Sequence, residues 1–169
     1  MRGFYLLSVW LHILAAAIWI GGMAFLVLVL VPVTRMAEYR TVAARLVQDT
    51  GVRFRWVGWG CLALLLSSGA INLGYRGFGW AHVRNGTIFQ GPFGRVLGVK
   101  LLLVTLILLF SALHDFFIGP KATILAQSAP HTSSAIRARW QASWLGRVNL
   151  LLGLIVVALG ILLVRGWIW

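Results

Sequence analysis

The chain has 169 residues, of which 60% are hydrophobic and only 11% charged, whereas a water-soluble domain carries about 25% charged residues. That shortfall excludes a surface built to face water and points to hydrocarbon as the solvent. Fifteen Lys and Arg against three Asp and Glu leave a formal net charge of +12. The basic residues lie between apolar runs and form no block, so they read as loop cations that set topology and touch anionic lipid head groups. They do not read as a nucleic-acid surface. The lone cysteine, Cys61, excludes an internal disulfide and an all-thiolate metal site, and its apolar neighbours mark it as a small buried residue.

Four apolar runs are long enough to span. The first covers residues 4–31 and ends at Pro32. Ala15-Ala16-Ala17 looks like a cleavage region, but the apolar stretch continues well past it, while a secretory core is only about 7–15 residues long; an uncleaved first helix is expected. The connection 33–53 carries Arg35, Arg40, Arg45 and Arg53 with Glu38 and Asp49, and should prolong the first two helices beyond the membrane. The second run covers about 54–73. After it, residues 74–95 hold Gly74, Gly77, Gly79, Gly86, Gly91 and Gly94 and read as an irregular loop. The third run, about 96–118, stops at Gly119-Pro120. The connection 121–144 contains Pro130 and then the stretch from Ser133 to Trp140, expected to be a short interfacial helix. The fourth run covers about 145–164. About 20 apolar residues cross the hydrocarbon, and without water their backbones must be helical. The expected fold is all-α: one integral membrane four-helix bundle over residues 1–169, antiparallel and up-down.

Basic residues near helix ends orient such a bundle. The first and third connections and their flanks hold Arg35, Arg40, Arg45, Arg53, Arg55, Lys121, Arg137, Arg139 and Arg147; the opposite side holds Arg2, Arg76, Arg84, Arg95 and Arg165. Both termini are therefore expected on the non-cytoplasmic side of a bacterial-type inner membrane. Small residues recur at helical spacing, as Gly60, Ala63, Ser67, Ala70 and Gly74 in the second helix and Asn149, Gly153 and Gly160 in the fourth. Such stripes let helices pack closely in lipid, or leave room for a flat cofactor.

Ionisable groups inside a membrane are costly and mark functional positions. Here they are His12, Lys100, His114 and Asp115, with Arg147 and Asn149 just inside the fourth helix. At 1.5 Å per residue, His12 and Lys100 lie near one face of the bilayer, and His114 lies roughly 15–20 Å deeper. The two histidines should therefore not ligate one iron. Two sites follow. One pairs His12 with Lys100, and with Ser67 or Asn72 from the second helix; Ala16, Trp19 and Met23 share the face of His12. The other pairs His114 with Asp115, near Arg55 and Arg147. The candidate catalytic groups are Lys100 and Asp115. His12 and His114 are candidate haem or metal ligands, and Trp19, Ser67, Arg147 and Asn149 are candidate cofactor contacts. His82 and His131 fall in loops. The nine tryptophans suit interfacial belts, with Trp19 at mid-span the exception.

The segment Leu11-His12-Ile13-Leu14-Ala15-Ala16-Ala17-Ile18-Trp19-Ile20-Gly21-Gly22 resembles the first-helix pattern of the copper resistance protein D (CopD) family. Arg53-Phe54, and Gly94-Arg95 through Lys100-Leu101, extend the resemblance over about residues 8–120. The chain is more distantly similar to HemJ-type protoporphyrinogen oxidases, small four-helix membrane proteins that bind haem b and need a histidine in helix one and a lysine in helix three; His12 and Lys100 match those positions. His114-Asp115 followed by Gly119-Pro120 departs from both patterns. Three functions remain open at this stage. The first is haem b binding for electron transfer or for oxidation of a membrane-embedded substrate, with a redox partner. The second is copper uptake, for which Cys61, Met1, Met23 and Met36 are a thin supply of soft ligands. The third is an accessory subunit of a larger membrane complex.

Overall fold

The computed structural model describes residues 2–39, 41–128 and 132–165; the expectations for Arg40, Pro130 and His131 fall outside them. Four helices are long and apolar enough to cross a membrane: α1 (Arg2–Val33), α2 (Ala43–Tyr75), α3 (Gly91–Ala126) and α4 (Ser133–Arg165). Among the described residues there is no strand. The helices alternate in direction. α1 packs along α2 and α3 along α4, while contacts of α1 with α4 and of α2 with the last turns of α3 close the ring. A 33-residue helix such as α2 or α4 is about 50 Å long at 1.5 Å per residue, against a hydrocarbon core of about 30 Å. The first turns of α2 and α4, rich in polar residues, therefore extend past the apolar layer.

Three boundaries differ from the sequence expectation. Ser133 to Trp140 is no separate interfacial helix but the start of α4, because nothing in Ser-Ser-Ala-Ile-Arg-Ala-Arg-Trp breaks a helix. The glycine-rich loop holds a short helix, Trp80–Arg84, and a 3-10 turn, Thr87–Phe89; Gly86 and Gly91 take the positive φ that reverses the chain on either side of that turn. Pro120 does not stop α3. The backbone widens into a π turn over His114–Ile118 and then continues as α-helix through Gly119–Ser128. A proline cannot donate to the carbonyl four residues back, and its ring presses on that carbonyl; widening the preceding turn relieves both problems. α1 uses the same device, a π turn at Leu26–Leu30 ahead of Pro32.

The bundle centre is built from Ala15, Trp19 and Met23 of α1, Cys61 and Leu62 of α2, and Ile107 of α3. Trp19 is only 5% exposed. Its indole lies between two glycines: an added Cβ at Gly58 would meet Cδ1 at 3.6 Å, and one at Gly153 would meet Cζ3 at 3.0 Å. The α4 stripe thus faces inward, with Asn149 and Gly153 buried. The α2 stripe does not. Gly60, Ala63, Ser67, Ala70 and Gly74 all face outward, and the inner face of α2 carries Gly58, Cys61, Leu62 and Ser68. The two stripes make opposite predictions. Gly60→Ala meets nothing within 4 Å and should leave stability equal or raised, by up to about 1 kcal/mol of helix propensity. Gly153→Ala must displace Trp19 and should lower the unfolding midpoint in a detergent titration.

Candidate functional site

Polar side chains gather at two levels of the bundle, with the Trp19 layer between them. At the first level, α1 and α2 are joined by a short chain of hydrogen bonds. His12 Nδ1 lies 2.8 Å from Ser68 Oγ. Ser68 Oγ donates to the Leu64 carbonyl of its own helix, and Ser8 Oγ donates to the Ser68 carbonyl at 3.4 Å. Lys100 of α3 lies within electrostatic range of His12, and Arg76, just past the end of α2, lies within range of Lys100. The α3–α4 contact is close here: a Cβ on Gly160 would stand 3.4 Å from Lys100 Nζ. Arg76 also donates to the Leu163 carbonyl of α4 at 3.3 Å and lies over the Phe93 ring, so all four helices contribute.

The His12 ring is met by Ser68 Oγ and by the Leu65 backbone, while Lys100 makes neither a hydrogen bond nor an ion pair among the described residues. The buried Oδ1 of Asn72 is likewise unpartnered. The described acids, Glu38, Asp49 and Asp115, all lie toward the other end of the bundle. A shallow groove of about 70 Å³ lies between α1 and α2 at this level, lined by Phe4, Leu7, Ser8, Leu11, Ser68 and their neighbours and not by His12 or Lys100.

The structure brings His12 and Lys100 within electrostatic range, and it is Ser68, not the expected Ser67, that meets the imidazole. Ser67 is exposed and bonds only to the Ala63 and Leu64 carbonyls of its own helix; Ser68, 100° around the helix, faces His12. Ser68, Asn72 and Arg76 recur at i, i+4 and i+8, and that spacing was the signal for the true inner face. Trp19 is a core residue below this level.

The second level joins α2, α3 and α4. Trp59 Nε1 donates to Asp115 Oδ2 at 3.0 Å, and His114 Nδ1 bonds Asp115 Oδ1 at 2.9 Å. Both carboxylate oxygens are therefore held. Asn149 Nδ2 donates to Ser111 Oγ at 2.7 Å, with both residues buried, while Asn149 Oδ1 lacks a partner. Arg147 is exposed and makes no ion pair with Asp115, because it projects from the outer side of α4. Arg55 lies over the Phe116 ring; Trp59 was not expected in this role. His114 opens the π turn and Gly119 closes it, donating its N–H to the His114 carbonyl. A Cβ at Gly119 would approach that carbonyl to 2.9 Å. Gly119→Ala should therefore disturb the Trp59–Asp115–His114 arrangement while leaving the first level intact. The readout is a loss of the Trp59 indole N–H chemical shift in NMR spectra, with His12 signals unmoved.

Among the described residues no group of three or more His, Cys, Asp or Glu is placed to hold a metal ion. What the geometry defines is a four-helix membrane protein with an imidazole and an ammonium converging at one end. A family model, copper resistance protein D, matches residues 48–163, and the chain belongs to that CopD family. It is 31% identical over 162 residues to an uncharacterized protein of Aquifex aeolicus (strain VF5), an alignment covering 95% of this chain and 96% of that one. No solved structure matches it.

Proposed function

We propose that this CopD-family protein binds haem b at the His12–Lys100 end and uses it for electron transfer or for oxidation of a substrate dissolved in the bilayer. The observation that carries the reading is the His12 imidazole, tied to α2, beside two cations, with no side-chain carboxylate at that end among the described residues. An imidazole lone pair suits a transition metal. Lys100 and Arg76 repel a bare cation but favour a ligand that bears its own carboxylates. Haem b meets both demands, since its iron takes an axial nitrogen and its propionates take cations. Bound haem would supply a one-electron centre. In this reading His12 holds it and Lys100 steadies its carboxylates or carries a proton. The groove beside the site, about 70 Å³, is far smaller than a ligand pocket, so a porphyrin-sized ligand would lie against the bundle in contact with lipid, where a membrane-embedded substrate reaches it without crossing water. His114 with Asp115, together with Asn149, forms a separate candidate site that could hold a second cofactor. The positive-inside bias supports a reading in which both termini lie on the non-cytoplasmic side of a bacterial-type inner membrane.

Copper is the second reading, favoured by the family's name and by the presence of Met23 and Cys61 in one core cluster. Soft sulfur ligands suit Cu(I). Titrating haem b and, separately, Cu(I) into purified cofactor-free protein separates the two. Saturation at one haem per chain with a Soret band supports the haem reading; saturable copper binding without haem uptake replaces it with the copper one. An accessory role in a larger complex stands if neither binds.

A further inference from the structure

We infer that Ser68 is a positioning residue that locks His12 as the Nδ1–H tautomer, so that Nε2 is the nitrogen the site presents. A serine hydroxyl has one hydrogen to donate and two lone pairs to accept with. The nearest groups to the Ser68 hydroxyl are the Leu64 carbonyl and His12 Nδ1. The Leu64 carbonyl oxygen can only accept, and it lies in short contact with Ser68 Oγ, so the hydroxyl hydrogen must sit between these two oxygens. Otherwise their lone pairs would face each other. The Leu65 carbonyl, 3.4 Å from Ser68 Oγ, is a second acceptor on the same side. With its hydrogen spent on the helix backbone, Ser68 Oγ meets His12 only through a lone pair. At 2.8 Å, His12 Nδ1 must therefore carry the proton and donate it. The Leu65 carbonyl is a further acceptor for the His12 ring; with Nδ1 protonated, the lone pair of the neutral ring is on Nε2.

The arrangement is an orienting second partner of the kind that sets the tautomer and ring angle of ligating histidines, supplied here by a hydroxyl whose own direction is fixed by the helix. Ser8 Oγ, donating to the Ser68 carbonyl, holds α1 against α2 at this point and keeps His12 in register with Ser68. The tautomer follows from the hydrogen bonds alone; its consequence for a bound ligand rests on the haem reading.

The two are tested separately. Cofactor-free protein with ¹⁵N-labelled histidine is placed in lipid nanodiscs above pH 8, and the His12 signals are assigned by their loss in His12→Gln. Two-bond ¹⁵N–¹H correlations then report which ring nitrogen carries the proton. The expected result is a single Nδ1–H form in the parent protein. Ser68→Ala should convert it to the Nε2–H form or a mixture, and Ser68→Thr, which keeps the hydroxyl, should restore it. In haem titrations Ser68→Ala should weaken binding about 10- to 100-fold, the usual effect of removing an orienting partner, with Ser68→Thr close to the parent. An Nε2–H tautomer in the parent protein, or a tautomer indifferent to Ser68→Ala, overturns the inference. The parent spectrum alone decides it if the alanine variant does not fold. A correct tautomer with no haem uptake leaves Ser68 in its role and removes the haem reading.

Discussion

His12→Ala should abolish haem binding, and His114→Ala should leave it in place. The asymmetry follows from the vertical arrangement of the bundle. His12 is tied to Ser68 at the level of Lys100, whereas His114 is tied to Asp115 at the level of Trp59, and the Trp19 layer lies between them. Among the described residues the other imidazole at this end is His82, whose Nδ1 accepts from the Gly79 N–H in the connection between α2 and α3, so on the haem reading loss of the His12 ring removes the nitrogen ligand. In spectra of the purified variants, the Soret band should vanish for His12→Ala and persist for His114→Ala. Lys100→Gln should fall between these, with the band retained and haem affinity lowered, because the cation acts on the ligand's charge and not on its iron. A Soret band that survives His12→Ala and disappears with His114→Ala would move the centre to the other end of the bundle.

Trp19→Ala carries the largest expected loss of stability. In lipid there is little hydrophobic drive between helices, and association rests on close packing. The indole reaches both α2 at Gly58 and α4 at Gly153 from α1. Its removal opens a void that two glycines cannot close, since neither has a side chain to move in. Large-to-small substitutions of buried aromatics cost about 3–5 kcal/mol in water-soluble cores. The part that comes from lost contacts rather than transfer from water puts the expectation here at about 3 kcal/mol, read as a lower midpoint in detergent unfolding. Trp56, 74% exposed on the outer face of α2, is the control, and Trp56→Ala should change the midpoint little.

Composition and run lengths were enough for the fold class, because apolar runs this long and this poor in charge have only one solvent. The level of each polar group was also legible, since rise per residue converts position into depth; that is why His12 and Lys100 were paired and His12 and His114 separated. Rotation about the helix axis was harder to read. In a soluble helix the polar face marks the outside, but here lipid and core are equally apolar, so the stripe from Gly60 to Gly74 looked like an interface when it faces the bilayer. The one-residue error from Ser67 to Ser68 is the same loss of phase. The π turns were not legible either. Gly119-Pro120 reads locally as a helix stop, and only packing of the last turns of α3 against α4 makes a widened turn preferable to a break.

The most direct test is the visible spectrum and metal content of the protein purified from membranes in mild detergent. One haem b per chain, with a Soret band and no stoichiometric copper, is the predicted result. Copper at one per chain with no Soret band would contradict it.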